Sequence, residues 1–379
     1  MVRYWSIHPY VQRLVYLFFF KILFALRSIH SPGTIPLKSL TLLTTTITTL
    51  GYRIQTLLYY TRSTSGYRKT IVALYQALEI KNILKDGDIP YPAPDVPVPG
   101  GMKVEFRNVS FQYPEKDTAV LKNMSFTLNP GQLMVIVGEN GCGKSSTVKL
   151  LNRLFDMSEG AILIDDLPIE TYVAADVRRA QAVMSQEFVK YPLTIRENIG
   201  LGSVDHVDDI DRIHRATKLG GAFDFINELP LGFETDIEAR SDAWSSMHKA
   251  KEGGPLKTKL KELEGEFEIS GGQWQRLAIS RTLMRAMDND DIRLLCFDEP
   301  SSALDPKAEF ELFERLRDFR GQKTLIFITH RFGHLTKFAD VILYMKNGEI
   351  TEQGTHAELL AKGEEYAHLY NIQAQAFST

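Results

Sequence analysis

Cysteine is nearly missing from this 379-residue sequence. There are two, Cys142 and Cys296, far from the short spacings of metal-binding or disulfide-framework motifs. That excludes a chain stapled by disulfides or a structural zinc, and it fits a reducing compartment for the bulk of the protein. Acidic residues are missing from one region only. Of 47 Asp/Glu and 44 Lys/Arg, residues 1–85 hold one acid, Glu79, and eleven bases, leaving 46 acids and 33 bases for the remainder. The net charge of −3 therefore hides a basic arm of about +10 joined to an acidic body of about −13. An anionic membrane face is the natural partner of such an arm. No nucleic-acid partner is expected.

Uninterrupted apolar runs of spanning length, roughly 20 residues, are also missing. Leu14–Leu26 has twelve apolar residues in thirteen, broken by Lys21, and Ser39–Tyr52 is uncharged but carries six threonines. Extended to Val11–Ile29 and Ile35–Tyr60, each becomes long enough, at the cost of flanking Arg13, Arg27, Lys38 and Arg53. With a turn at Ser31-Pro-Gly-Thr34, the pattern predicts a transmembrane helical hairpin with both ends on one side. The basic run Arg62, Arg68, Lys69 places that side in the cytoplasm. A signal peptide does not fit, since the run holds a lysine and no small-residue cleavage site comes after it. A helical hairpin packed on the body without spanning is the competing reading. The arm (1–85) ends at a linker (86–101), because Pro90–Pro99 places five prolines in ten residues.

The body, residues 102–379, opens with alternating stretches at Lys103–Phe111 and Ala119–Leu128, predicting antiparallel strands. Leu133–Val137 is a continuous apolar run suited to a buried parallel strand. It leads into Gly138-Glu-Asn-Gly-Cys-Gly-Lys-Ser-Ser146 and an apolar helix, Thr147–Phe155. This Gly-x4-Gly-Lys-Ser in strand–loop–helix context is a phosphate-binding loop. Gly138, Gly141 and Gly143, with Asn140, Cys142 and Ser146 between and after them, let backbone amides converge on a polyphosphate. Lys144 supplies a charge to the phosphates, and Ser145 a hydroxyl for Mg²⁺. Cys142, beside a helix N-terminus and Lys144, is expected to have a lowered thiol pKa. A second buried-strand run, Arg293–Phe297, ends in Asp298-Glu299; an acid there is the expected metal partner, and Glu299 a candidate general base.

Ile269-Ser-Gly-Gly-Gln-Trp-Gln-Arg276, opening a helix to Met284, is a second anion-binding helix start. It resembles the signature motif of ATP-binding cassette (ABC) proteins. That resemblance covers about residues 103–370 and implies an α/β P-loop cassette with an antiparallel β subdomain and a helical subdomain. It further implies ATP and Mg²⁺ as ligands, ATP hydrolysis, and a second cassette as partner, homo- or heteromeric, with Ser270, Gly271, Gly272 and Gln273 closing over its nucleotide. By the same resemblance Tyr113 stacks on adenine, Gln186 senses Mg²⁺ and water, Asp305 lies in the loop that communicates across the dimer, and His330 contacts the γ-phosphate. The arm resembles, by layout and hydropathy, the last two transmembrane helices of an exporter-type half-transporter.

Three features depart from that pattern. The sequence has room for two transmembrane helices where the family has six, which suggests a truncated gene model, a degenerate paralogue, or a subunit relying on other transmembrane segments. An insertion rich in Lys and Glu occupies about 239–268, and Ala286–Arg293 is a longer acidic loop. The expected function is a membrane-bound, transport-coupled ATPase module with its cassette on the cytoplasmic side. The alternatives are a soluble or peripheral ABC ATPase with a mechanical or regulatory role, and a scaffold without turnover, which Glu299 and His330 argue against.

Overall fold

The computed structural model describes residues 22–23, 26–27, 29–30, 37–79, 84–93, 100–114, 116–237, 269–331 and 334–376. Most of the first expected span, the turn at Ser31–Thr34, the end of the proline run and the insertion at 239–268 lie outside these. Two compact units meet in sequence between Ile83 and Leu84.

In the first unit the second expected segment is helical and runs well past Tyr60. Helix α1 covers Leu37–Leu78, 42 residues, or about 63 Å at 1.5 Å per residue. Its threonines turn back on the helix: the hydroxyls of Thr45, Thr46 and Thr49 donate to carbonyls four residues earlier at 2.7 Å. This satisfies each hydroxyl internally and explains how so many threonines fit one helix. The apolar residues of α1 do not gather along one stripe, and Leu42, Leu57, Tyr59, Leu74 and Leu78 are exposed. Among the described residues, no helix is long and apolar enough to cross a membrane.

The second unit is built on two sheets. The antiparallel one contains β1 (Val104–Phe111), β2 (Leu121–Leu128), β4 (Glu159–Ile164) and β5 (Leu167–Pro168), in the order β2-β1-β4-β5. The alternation in β1 and β2 turns one face inward, where Val104, Phe106, Val109, Leu121, Met124 and Leu128 are buried. The larger sheet has the order β10-β9-β3-β8-β7-β6. Its strands β3 (Leu133–Gly138), β6 (Gln181–Met184), β7 (Leu294–Asp298), β8 (Thr324–Ile328) and β9 (Val341–Lys346) are parallel, and β10 (Glu349–Gly354) is antiparallel to β9. Every residue of β3, β7 and β8 is buried, as continuous apolar runs require when helices cover both faces. A third apolar cluster joins α4 (Ile195–Gly200), α5 (Ile210–Gly220), α6 (Phe223–Glu228) and the long α7 (Gly271–Ala286) around Ile199, Ile213, Ile226, Trp274 and Leu277. These are the α/β core, β subdomain and helical subdomain expected from the resemblance.

The phosphate-loop helix, α2 (Lys144–Leu151), stops four residues before the expected Phe155. Arg153 takes a left-handed φ of 51° and turns its guanidinium inward, where it is almost fully buried. There it bonds the carbonyls of Tyr172 and Lys85. Residues 85–91 are thereby docked on the body rather than hanging as a spacer. Ile89 exchanges backbone hydrogen bonds with Thr171 and Val173, and a Cβ at Gly87 would come within 2.2 Å of the Thr171 carbonyl. A second arginine completes the clamp. Arg293 pairs with Asp165 at 2.6 Å, both nearly buried, and donates to the Tyr91 hydroxyl and the Gly101 carbonyl. Tyr91 in turn donates to Asp165 at 2.8 Å.

Removing one partner of a buried pair leaves the other charge stranded. Arg293→Met is therefore expected to lower the unfolding free energy by about 3–5 kcal/mol, read from urea titrations. Cutting the exposed Lys103–Asp166 pair is expected to leave the transition nearly unmoved; equal effects of the two changes contradict the clamp.

Candidate functional site

Parallel strands in register deliver their C-terminal ends to one edge of the sheet. Ile136 of β3 lies opposite Ile328 of β8, Ile328 opposite Asp298 of β7, and Phe297 opposite Met184 of β6. The loops that leave these strands therefore meet at that edge: the glycine-rich loop after Gly138, Glu299 after Asp298, His330 after Ile328, Gln186 after Met184. Open α/β sheets place their sites at this edge.

The phosphate loop needs its glycines. Gly138, Gly141 and Gly143 have φ of +151°, +81° and +104°; a Cβ on Gly138 would lie 2.1 Å from the Met345 carbonyl oxygen, and one on Gly143 2.5 Å from Leu121. No side chain caps α2 at Gly143, as at helix starts that bind phosphate through their first amides. The Lys144 ammonium is buried in that cradle, donating to the carbonyls of Gly138 and Glu139 at 2.9 and 2.8 Å. Asn140 and Gly141, at the loop tip, are exposed. Tyr113 shares a 3.0 Å hydrogen bond between its hydroxyl and Ser146. Its ring is braced edge-on by Phe111 and Phe155, with the ammonium groups of Lys149 and Lys116 over it at 5.5 and 5.8 Å.

Cys142 corrects an expectation. Its thiol is 5% exposed, and burial pushes its pKa up, outweighing the pull of Lys144. The desolvation cost exceeds the helix-end and lysine attraction that the sequence made visible.

Asp298 is buried, and its Oδ1 has no hydrogen-bond partner. Burial raises its pKa and the adjacent Glu299 adds to the rise, while the Ser145 hydroxyl, Lys144 and Lys149 pull it back. A buried carboxylate oxygen without a partner, beside a serine hydroxyl, is a donor set that fits a hard divalent cation such as Mg²⁺. No cluster of three or more His, Cys, Asp or Glu suited to a metal occurs among the described residues. Mg²⁺ would therefore be held by these few groups together with phosphate oxygens, its common mode.

Glu299 draws the remaining expected residues together. Its Oε2 accepts from Gln186 Nε2 at 3.1 Å, and its Oε1 lies 3.4 Å from His330 Nδ1. Its backbone has φ of +51°, a left-handed conformation that costs a non-glycine residue about 1–3 kcal/mol and persists only where the surroundings enforce it. Here its N–H donates to the Ile328 carbonyl at 2.9 Å, and its own carbonyl accepts from Gln275 Nε2 at 2.8 Å.

The signature segment does not join the phosphate loop of its own chain by any described hydrogen bond or ion pair. Ser270 and Gln273 form a reciprocal capping box at the start of α7, with bonds of 2.9 and 3.3 Å, and Ser270 and Gly271 are exposed. Gly272 packs on the loop beyond β7, where a Cβ would lie 2.8 Å from the Ala303 carbonyl oxygen. Asp305 caps α8 (Pro306–Arg320) through the amides of Lys307 and Ala308 at 3.0 Å. The Ala308 amide first, then that of Lys307, hold its pKa low. Sequence reasoning overlooked two elements here. Gln275 bonds the 299–303 loop, and Arg331 braces the same loop through Glu309 at 2.9 Å and the Leu304 carbonyl. Gln275 had a signal: it shares a face with Ile279 and Leu283 at a four-residue spacing, a polar residue on a buried stripe.

Known proteins share this architecture. Residues 121–302 match the family model described as ABC transporter. Over 271 residues the chain is 36% identical to the ATP-dependent lipid A-core flippase of Pseudoalteromonas atlantica, covering 72% of this chain and 41% of that protein. Against the protein of the same name from Pseudomonas aeruginosa, identity is 36% over 268 residues, covering 71% and 39%. The chain thus spans about two fifths of the length of the curated relatives it matches. A solved structure of a bacterial Atm1-family ABC exporter with ATP bound superposes with a TM-score of 0.65 at 29% identity, covering 87% of this chain and 52% of that one.

The buried groups lead to two expected outcomes. Because the folded pKa of Asp298 is raised, its ionised form is less stable folded than unfolded, and that penalty is fully present once pH exceeds the folded value. Asp298→Asn is expected to raise the thermal midpoint in Mg²⁺-free buffer at pH 7 and to lose the further rise that Mg²⁺–nucleotide brings; a midpoint below wild type contradicts this. Cys142 is expected to alkylate with iodoacetamide more slowly in the folded chain than in urea, by mass spectrometry. Equal rates would show an exposed, activated thiol.

Proposed function

We propose, from the match of residues 121–302 to the ABC transporter family model, that the chain is the ATP-binding and ATP-hydrolysing module of an ABC exporter, in which closure of two cassettes drives transport. The observation that carries the reading is the convergence on Glu299. Gln186 and His330 both reach its carboxylate, at the strand edge that also bears the phosphate loop.

In this reading the amides of Gly138–Ser146 and the Lys144 ammonium bind the phosphates, and Tyr113 offers a ring face to adenine. Ser145, Gln186 and Asp298 would hold Mg²⁺, which when bound neutralises charge on the phosphate oxygens. Glu299 accepts the proton of the attacking water, Gln186 fixes the carboxylate in rotation through its 3.1 Å bond, and His330 faces the γ-phosphate. The exposed Ser270–Gly271 start of α7 is open to the nucleotide of a second cassette, completing two sites in a head-to-tail pair. Asp305 lies in the loop across which the pair communicates.

The arm is the part of the reading that concerns the membrane. The apolar residues of α1 do not gather along one stripe, and the hydroxyls of Thr45, Thr46 and Thr49 are bonded within the helix. Both suit a helix surrounded by lipid or by other transmembrane segments. Eleven bases against one acid in residues 1–85 favour the cytoplasmic leaflet, which puts the cassette on the cytoplasmic side.

Steady-state hydrolysis tests the chemistry. Glu299→Gln is expected to lower kcat by about 10²–10⁴-fold, the range for loss of a general base, while ATP binding survives. A wild type no faster than this variant removes the enzymatic reading. Alkaline carbonate extraction tests the membrane part: the chain is expected in the pellet, and its release into the supernatant would remove it.

A further inference from the structure

Glu299 sits in a conformation that its own side chain does not favour, so something outside its strand must hold it. The described hydrogen bonds of its backbone are three: its N–H to the Ile328 carbonyl in β8 at 2.9 Å and the Ser302 amide to its carbonyl at 3.4 Å within the same turn, and Gln275 in α7 to that carbonyl at 2.8 Å, the shorter of the carbonyl's two. Gln275 is 3% exposed and spends its whole amide on one loop. Nε2 donates to the Glu299 carbonyl at 2.8 Å and to Ser302 Oγ at 2.9 Å, and Oε1 accepts from the Ala303 amide at 2.9 Å. Both hydrogens and the carbonyl are therefore placed along residues 299–303.

The other end of this connection is the signature itself. Gln275 lies little more than one turn after Ser270, in a helix start stiffened by the Ser270–Gln273 capping box. Gly272 of the same turn lies so near Ala303 that a Cβ on it would stand 2.8 Å from the Ala303 carbonyl oxygen. Between the exposed Ser270–Gly271 start of α7 and the Glu299 peptide there is one helical turn and one side-chain amide. Displacement of the α7 start has no slack in which to dissipate before it reaches that carbonyl.

We propose that Gln275 is a positioning residue that sets the Glu299 peptide, and through it the carboxylate, according to the position of the α7 start. The inference rests on the reading of Glu299 as the general base. Its consequence is that the helix start offered to a second cassette's nucleotide also governs the base of its own chain.

The experiment compares hydrolysis by the full chain as wild type, Gln275→Leu, Gln275→Glu, Glu299→Gln and the Glu299→Gln/Gln275→Leu double variant, with a fluorescent ATP analogue reporting binding. Gln275→Glu keeps an acceptor for the Ala303 amide and loses both donors, so it isolates the bonds to Glu299 and Ser302. Both single changes at 275 are expected to lower kcat about 10- to 100-fold, the scale of an ångström-sized misplacement of a catalytic group, with KM and analogue affinity essentially unchanged. In the Glu299→Gln background the further loss is expected to stay within about two-fold, because the residue acts through the carboxylate that is gone.

Three results overturn the proposal: a normal kcat in both single variants, losses that multiply in the double variant, or a fall in thermal midpoint and analogue affinity that accounts for the lost activity. The last would show a purely structural amide. A wild type no faster than Glu299→Gln removes the functional reading itself, whereas a faster wild type with normal Gln275 variants removes only this inference.

Discussion

The registered pairing of parallel strands is the constraint on which the rest of the molecule depends. A parallel pair needs a crossover, so strands that are neighbours in space are far apart in sequence: β3 and β8 pair in register across almost two hundred residues. The same pairing forces their C-terminal ends level. Residues as distant as Gly138, Gln186, Glu299 and His330 share one edge because Ile136, Ile328, Asp298, Phe297 and Met184 are locked opposite one another in the sheet. A slip of one residue in β7 would turn Asp298 to the other face and carry Glu299 away from Gln186 and His330.

That edge is assembled at an electrostatic cost. It holds a buried carboxylate with an unpartnered oxygen at Asp298, a second carboxylate at Glu299, and a buried ammonium at Lys144 bonded to two carbonyls. Burial opposes the charge on Asp298 and Glu299 repels it, while Lys144 and Ser145 offset only part. The backbone adds strain of its own at Glu299. Sites that bind multiply charged ligands are built this way, with groups arranged for a charge that arrives later. The apolar layers on both faces of the sheet supply the stability that this local arrangement lacks.

Much of the fold was legible because it is written in local patterns. Alternation in Lys103–Phe111 gave an antiparallel strand, and the apolar runs ending at Val137 and Phe297 gave two of the buried parallel ones. The glycine-rich loop and the Asp-Glu pair announced their chemistry by residue type and flanking element. The features that escaped depend on partners distant in sequence. Cys142 looked activated because Lys144 and a helix start are neighbours in the chain, whereas the packing that buries its thiol comes from the whole fold. Residues 86–101 looked like a linker from the proline run Pro90–Pro99, yet Gly87, Ile89 and Tyr91 within it are fixed by Thr171, Val173 and Asp165. Gln275 read as part of a surface motif, and its partners at 299–303 come together with it only in three dimensions.

The docked segment is also tied, within the second unit, to the elements that carry the site. Arg153, which grips Lys85, stands two residues beyond the end of α2, the helix that begins with Lys144. Arg293, which grips Tyr91 and Gly101, stands immediately before β7, the strand that ends in Asp298. Each guanidinium therefore ties a residue of this segment, Lys85 for Arg153 and Tyr91 and Gly101 for Arg293, to the far end of an element whose near end carries a site residue. A helix of eight residues and a strand of five, both packed on a close-packed core, are stiff over such distances. Lys85, Tyr91 and Gly101 are thus bonded, through two buried arginines, to the two elements that hold the phosphate loop and Asp298.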